Sequence, residues 1–205
     1  MTTHSDRPWG RFTLRGSDAL ESRLTDLVRD VARRAEDTLD PSAYRALIIL
    51  GGYGRGEGGV ELRDGHEFPH NNIDMMLVTR ALSDGKRRSL CAQLQNTLEP
   101  LAEREGIEID VSAINAGKLA HAPCLVMWYD MREGHKTILG DASFVPTLSE
   151  FTVENIPPED VRNLLVNRGT LLVINQELVD QCEMTETVRR TIIKHTMKAI
   201  IGYGD

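Results

Sequence analysis

An α/β core followed by a helical tail is the fold this chain of 205 residues predicts, and three observations predict it. Short apolar runs, "ALIIL" and "IDMMLVT", are interleaved with long segments of helical periodicity. A third run, "IEIDVSAI", alternates apolar and polar residues as a half-buried strand does. From about residue 152 onward only helical patterns remain. The length suffices for one substantial core, or for one core with a smaller helical appendage.

Ser17 is placed to cap the first helix, in which Leu20, Leu24, Leu27, Val28, Val31 and Ala35 recur at helical spacing until the break before Pro41. Arg45 to Leu50 is short, apolar and ended by Gly51-Gly52, the pattern of a buried strand. Residues 60–72, "VELRDGHEFPHNN", hold Gly65, Pro69 and two asparagines with no helical stripe, and predict a loop with at most a short extended piece. Ile73 to Thr79 predicts the second strand. Ser83 and Asp84 open a helix to about Glu105, buried through Leu90, Leu94, Leu98 and Leu101. In the third strand, Ile107 to Ile114, one face carries Ile107, Ile109, Val111 and Ala113, and the other Glu108, Asp110 and Ser112. "CLVMWYDMREG" reads as a helix and "HKTILGD" as a short strand leaving the core. Past "TVENIPPED" two helices are predicted, Pro158 to about Val179 and Thr185 to about Ile201. The domain organisation that follows is a core domain over 1–151 and a helical region over 152–205.

With 40% apolar and 27% charged residues, the composition is that of an ordinary globular chain. The net charge of −7 argues against a protein that coats nucleic acid by bulk electrostatics, and leaves a local basic groove open. Cys91, Cys124 and Cys182 are widely spaced and form no C-x-x-C, so neither a disulfide framework nor a zinc knuckle is indicated. The start, "MTTHSDRPWGRFTLRGSD", lacks the apolar stretch of a signal peptide, and no apolar run is long enough to cross a membrane. A cytoplasmic, reducing location is the resulting expectation. The chain stops at "IIGYGD" directly after a strongly patterned helix, which predicts a further helical closing element beyond it.

The stretch "LGGYGRGEGG", Leu50 to Gly59, places six glycines in ten residues directly after the first strand. Backbone N–H groups at such a turn can cradle phosphate oxygens, because no Cβ blocks close approach. A Walker-type P-loop is excluded, since no Gly-Lys-Ser/Thr follows. Gly54, Gly56 and Gly59 satisfy G-x-G-x-x-G, and Asp74 lies 20 residues after Gly54, so a dinucleotide fingerprint is a second reading. That reading needs a helix between the strands, which 60–72 does not supply, and an acid at the end of the second strand, whereas Asp74 begins one. A third reading joins the turn to the strands. Two-metal phosphoryl transfer uses carboxylates clustered beside a phosphate-binding loop, and positions i and i+2 of a strand share a face. Positions 72 and 74 have that spacing, and Asp110 sits on the next predicted strand.

"LGGYGRGEGG", then "NNIDMML", then "EIDVSAI" resembles the nucleotidyltransferase superfamily typified by DNA polymerase beta. The turn is especially similar to the minimal and aminoglycoside-type bacterial nucleotidyltransferases, in which an Arg-Gly-Glu tripeptide follows it, as Arg55-Gly56-Glu57 does here. The resemblance covers about 46 to 114. It implies a mixed sheet flanked by helices, with a C-terminal helical bundle that closes the site. It also implies a nucleoside triphosphate bound by Gly51, Gly52, Arg55, Gly56 and Glu57, and Mg2+ held by Asp74 and Asp110. The implied reaction transfers a nucleoside monophosphate in line to a hydroxyl acceptor, with pyrophosphate leaving. Small molecule, protein side chain and RNA end are all acceptors within the superfamily, and the negative net charge leans against a long nucleic acid.

The family's first carboxylate falls on Asn72. A neutral amide offers one carbonyl oxygen to a hard cation and no charge. Two formal negative charges then face the two Mg2+ ions expected in an active relative, so one ion, or weakened binding, is expected here. The chemical step should suffer more than nucleotide binding. Three explanations stand side by side: a natural pseudoenzyme that still binds nucleotide, an enzyme compensating through Glu57 or a loop group, and a sequence altered to trap substrate. The rival functions are a degenerate nucleotide- or partner-binding module of the same fold and an NAD-binding oxidoreductase.

Other polar residues carry paired readings. His66 and His70 are either exposed loop residues or a metal pair. Lys194 and Lys198 are either a solvated face of the last helix or contacts to the triphosphate. Asn167 and Arg168 interrupt an apolar helix, and either line a cleft or pair with an internal acid. Trp9 reads as a packing anchor.

Overall fold

The computed structural model describes residues 8–204; residues 1–7, read above for a leader, and Asp205 lie outside them. The described residues divide into two compact units, 8–123 with Met127–Phe151, and Cys124–Val126 with 152–204.

The first unit opens with α1 (Asp18–Thr38), capped by the Ser17 side chain, which accepts from the Leu20 N–H. Next come β1 (Tyr44–Ile49), α2 (Gly51–Arg55), β2 (Gly59–Arg63), β3 (His66–His70) and β4 (Ile73–Thr79). The unit continues through α3 (Asp84–Glu105), β5 (Ile109–Asn115), α4 (Ala116–Ala120), α5 (Val126–Glu133, whose first residue falls in the second unit) and β6 (Lys136–Gly140). The central sheet runs in the order β5-β4-β1-β6. β4 and β5 are parallel, and β1 is antiparallel to both β4 and β6. The architecture is a mixed sheet flanked by helices, as the sequence predicts.

Strand alternation sorts the core. Ile73, Met75, Leu77 and Ile109 share a cluster with Leu20, Leu24 and Val28 of α1 and Leu94, Leu98 and Leu101 of α3. Each of these fully buried side chains contributes about 1.5–3 kcal/mol. The intervening positions, Asp74, Met76, Asp110 and Ser112, face the other side of the sheet. Trp9 acts as the anchor the sequence suggests: it packs on the core cluster, and its indole N–H donates to the Thr137 carbonyl at 2.9 Å.

Two expectations need correction. Residues 60–72 are not a loop but a β2–β3 hairpin, closed by Asp64 and Gly65, both at positive φ. Asp-Gly is a favoured pair for such a two-residue turn, and Pro69 is tolerated because the ribbon has only two strands. The segment around "HKTILGD" does not leave the core either; β6 pairs with β1 as an edge strand of the central sheet.

The second unit is mainly a hairpin of α6 (Pro158–Gln181) and α7 (Glu186–Gly204). The buried Asn175 side chain donates to the Ile192 carbonyl and to Thr196 Oγ1, both at 3.1 Å, while its oxygen meets His195 Nδ1 at 2.9 Å. Tyr203 donates to the Leu165 carbonyl at 2.9 Å. Arg168 donates to Asn167 Oδ1 at 3.1 Å, and its stem lies against Gly202. Among the described residues no helix is long and apolar enough to cross a membrane.

Candidate functional site

In the parallel β4–β5 pair Asp74 stands directly opposite Asp110. Both side chains are exposed and share the face away from α1 and α3. Asn72, at the mouth of β4, joins them: its Nδ2 donates to Asp74 Oδ1 at 2.7 Å and to Asp110 Oδ2 at 2.6 Å. The preceding Asn71 takes φ +70°, a conformation asparagine tolerates, and this turns the chain from β3 into β4.

The glycine turn meets the acids at the same place. The Leu50 N–H donates to the Asp74 carbonyl at 2.8 Å, tying the end of β1 to the start of β4. Gly51 follows at φ +60°, and a Cβ there would lie 3.1 Å from Asp74 Oδ2. A side chain at Gly51 would thus need a left-handed backbone and a position against the carboxylate. α2 is only five residues long. The amides of Gly51 and Gly52 open it, where no intrahelical acceptor exists. Gly52 is not required by packing, since a Cβ there would meet nothing closer than 3.6 Å. Gly54 is: a Cβ would press on the Gly134 and Ile49 carbonyls at 2.6 and 2.7 Å. Gly54→Ala is expected to destabilise the fold by about 1–3 kcal/mol, the range for overpacking a filled site, whereas Gly52→Ala should stay within about 0.5 kcal/mol. Urea denaturation of the two variants measures the contrast.

Arg55 and Glu57, expected at the nucleotide, contact each other. Arg55 Nε donates to Glu57 at 2.8 Å, and its Nη1 reaches both oxygens of Asp130 at 2.7 Å. Burial works against the Arg55 charge, but the two carboxylates outweigh it and hold its pKa above the usual arginine value. A phosphate must compete with Asp130 and Glu57 for this guanidinium. Gly56 takes φ +82° as the cap of α2, and the Glu57 N–H is used by the Gly52 carbonyl at 2.7 Å.

Sequence reasoning missed the groups that hold this turn. Burial raises the Tyr53 pKa, so the hydroxyl stays neutral and donates to the Gly59 and His70 carbonyls. A strap formed by Arg11–Thr13 backs Gly56–Gly58. The Gly58 N–H donates to the Phe12 carbonyl at 2.9 Å, and Thr13 bridges to Gly58 in parallel. The strap in turn is held by Glu21 of α1, whose fully buried carboxylate accepts the Phe12 and Thr13 amides at 2.8 and 2.9 Å and the Thr13 hydroxyl. A buried acid at a helical core position in the sequence was the available signal.

A cavity of about 350 Å³ opens over the acids, lined by Gly51, Asp74, Asp110, Trp128, Asp130 and Met131 among others. Its wall is α5, which sequence reasoning placed but gave no role. Among the described residues no group of three or more His, Cys, Asp or Glu gathers as metal ligands. Two anionic oxygens that converge on one donor do suit a single hard cation that takes oxygen ligands, which would take the place the Asn72 Nδ2 now fills. His66 and His70 stand at opposite ends of β3 and form no pair; His70 Nδ1 lies 3.6 Å from Glu61. Lys194 and Lys198 are exposed residues of α7, in the second unit. The dinucleotide reading meets a different geometry: β1 and β4 are antiparallel and joined through a β-hairpin, not parallel and joined by a helix. Comparison of the chain with protein-family models, curated proteins and solved structures finds no match.

Proposed function

We propose that the first unit binds a nucleoside triphosphate together with Mg2+ at the Gly51–Asp74–Asp110 site, and that the site is built for transfer of a nucleoside monophosphate to a hydroxyl acceptor, attenuated by Asn72. One observation carries the reading: Asp74 and Asp110 lie side by side, share one donor, and adjoin a bend whose leading amides lack intrahelical acceptors. The resemblance of "LGGYGRGEGG" and the two acid-bearing strands to nucleotidyltransferases supports it from the sequence.

Mg2+, when bound, would neutralise phosphate charge and lower the pKa of an attacking hydroxyl. The chain's own residues do the rest. Asp74 and Asp110 supply the anionic oxygens, and Asn72 one neutral carbonyl once its amide turns over from the two donations it now makes. The Gly51 and Gly52 amides donate to phosphate oxygens that approach without a Cβ in the way. Trp128 and Met131 exclude water from one wall of the cavity.

A second reading, a nucleotide-binding module without turnover, is favoured by one feature. The Asn72 amide already satisfies both carboxylates, which lessens their need for a cation. Calorimetry with a nonhydrolysable triphosphate, in Mg2+ and in chelator, tests what the two readings share. Binding should require Mg2+ and weaken at least about tenfold, or 1.4 kcal/mol, in Asp74→Asn and in Asp110→Asn. Binding indifferent to the metal and to both variants removes the proposal. A labelled-nucleotide transfer assay then separates enzyme from module.

A further inference from the structure

The α6–α7 hairpin leaves an extensive apolar surface uncovered. Of its residues only Asn175 and Ala199 are buried, while Val166, Val173, Ile193 and Ile200 are each 60% or more exposed and Met197 is 50% exposed. At about 100° per residue, Ile193, Met197 and Ile200 form one stripe on α7, turned away from Ala199 and Ile192. Val166 and Val173, seven residues apart, form a stripe on α6 turned away from Asn175. Helices with apolar residues on both the inner and outer faces normally have neighbours on both.

Two hydrogen bonds fix which residues stand at the same height along the hairpin. Tyr203 meets Leu165 and Asn175 meets Ile192, so Val166 is level with Ile200 and Val173 with Ile193, while Met197 lies between those two heights. One turn nearer the helix–helix connection, Glu177 and Asp180 of α6 bracket the height of Arg189 and Arg190 of α7, the latter also held by Glu186 on its own helix. The charged flanks of the two stripes are therefore opposite in sign at equal height.

We propose that a second copy of this chain covers this surface, the two hairpins associating about a two-fold axis parallel to the helices into a four-helix bundle with α6 of each against α7 of the other. Such an axis preserves height. It sets Val173 of one copy against Ile193 of the second and Val166 against Ile200, with Met197 between them, and Glu177 and Asp180 against Arg189 and Arg190. Both stripes are covered at once, and the contact is isologous and closed, so it ends at a dimer. A uniformly anionic partner would match α7 but oppose the acids of α6. The inference stands independently of any nucleotide.

Sedimentation velocity of the full chain across the micromolar range tests it. The expected particle has twice the 22.9 kDa chain mass. Met197→Glu places a carboxylate in the stripe at a half-exposed position, and should leave the helix content unchanged while weakening association at least about a hundredfold. Asp180→Lys, which touches no apolar residue, should weaken it more modestly, and adding Arg190→Glu should restore it. A monomer at every concentration, a ladder of larger oligomers, or a dimer indifferent to both single variants overturns the proposal.

Discussion

Asn72→Asp is expected to melt below the parent in chelator and above it in Mg2+. In the parent, the Asn72 amide donates to both Asp74 and Asp110. Aspartate removes both donations and gathers three carboxylates at the mouth of β4. The loss, discounted for solvent screening, is about 1–2 kcal/mol, or about 2–8 °C for a unit of this size. A divalent cation reverses the sign, because the third carboxylate becomes a ligand instead of a repelled neighbour. Mg2+ affinity should rise at least about tenfold, read by the Mg2+ dependence of the melting temperature. If nucleotide transfer rises with it, the parent is an attenuated enzyme; if affinity rises without transfer, it is a binding module. Equal Mg2+ dependence in parent and variant would remove the cation from the site altogether.

The second large effect lies away from the acids. Glu21→Ala is expected to cost about 3–5 kcal/mol, since it leaves the Phe12 and Thr13 amides without their acceptor and opens a cavity beside α1. Glu21→Gln keeps one acceptor oxygen and most of the volume, and should cost about half as much. Urea denaturation gives the totals. Hydrogen exchange gives the location: the Gly58 amide, bonded to Phe12, should exchange faster in both variants, while the β4 amides of Glu21→Gln follow only its global stability. An alanine variant within about 0.5 kcal/mol of the parent would mean the strap is held by something else.

These two residues also mark what was legible in the sequence. α1 and α3 were readable because Ser17 and Ser83 cap them and leucines recur at helical spacing. The acids were readable because aspartate in a strand-like run conflicts with local propensity, and such conflicts collect at sites. The Asp64-Gly65 hairpin carried a signal that the surrounding glycine, proline and asparagines masked. Asp130 carried none: it meets Arg55 across 75 residues of chain, and no spacing rule links them. The same holds for the strap, whose contacts with Gly56–Gly58 depend on which face of the sheet the N-terminal segment crosses. That is decided by tertiary packing, after local propensities have been satisfied.

The Trp9–Thr137 hydrogen bond joins segments 128 residues apart. During synthesis the Trp9 indole has no acceptor until β6 has been made, although Glu21 and Gly58 are already there to hold the strap behind it. Closing so long a loop carries an entropic cost that only the nearly complete sheet offsets. The Trp9 anchor is thus set late, and until then its indole is open to chaperones.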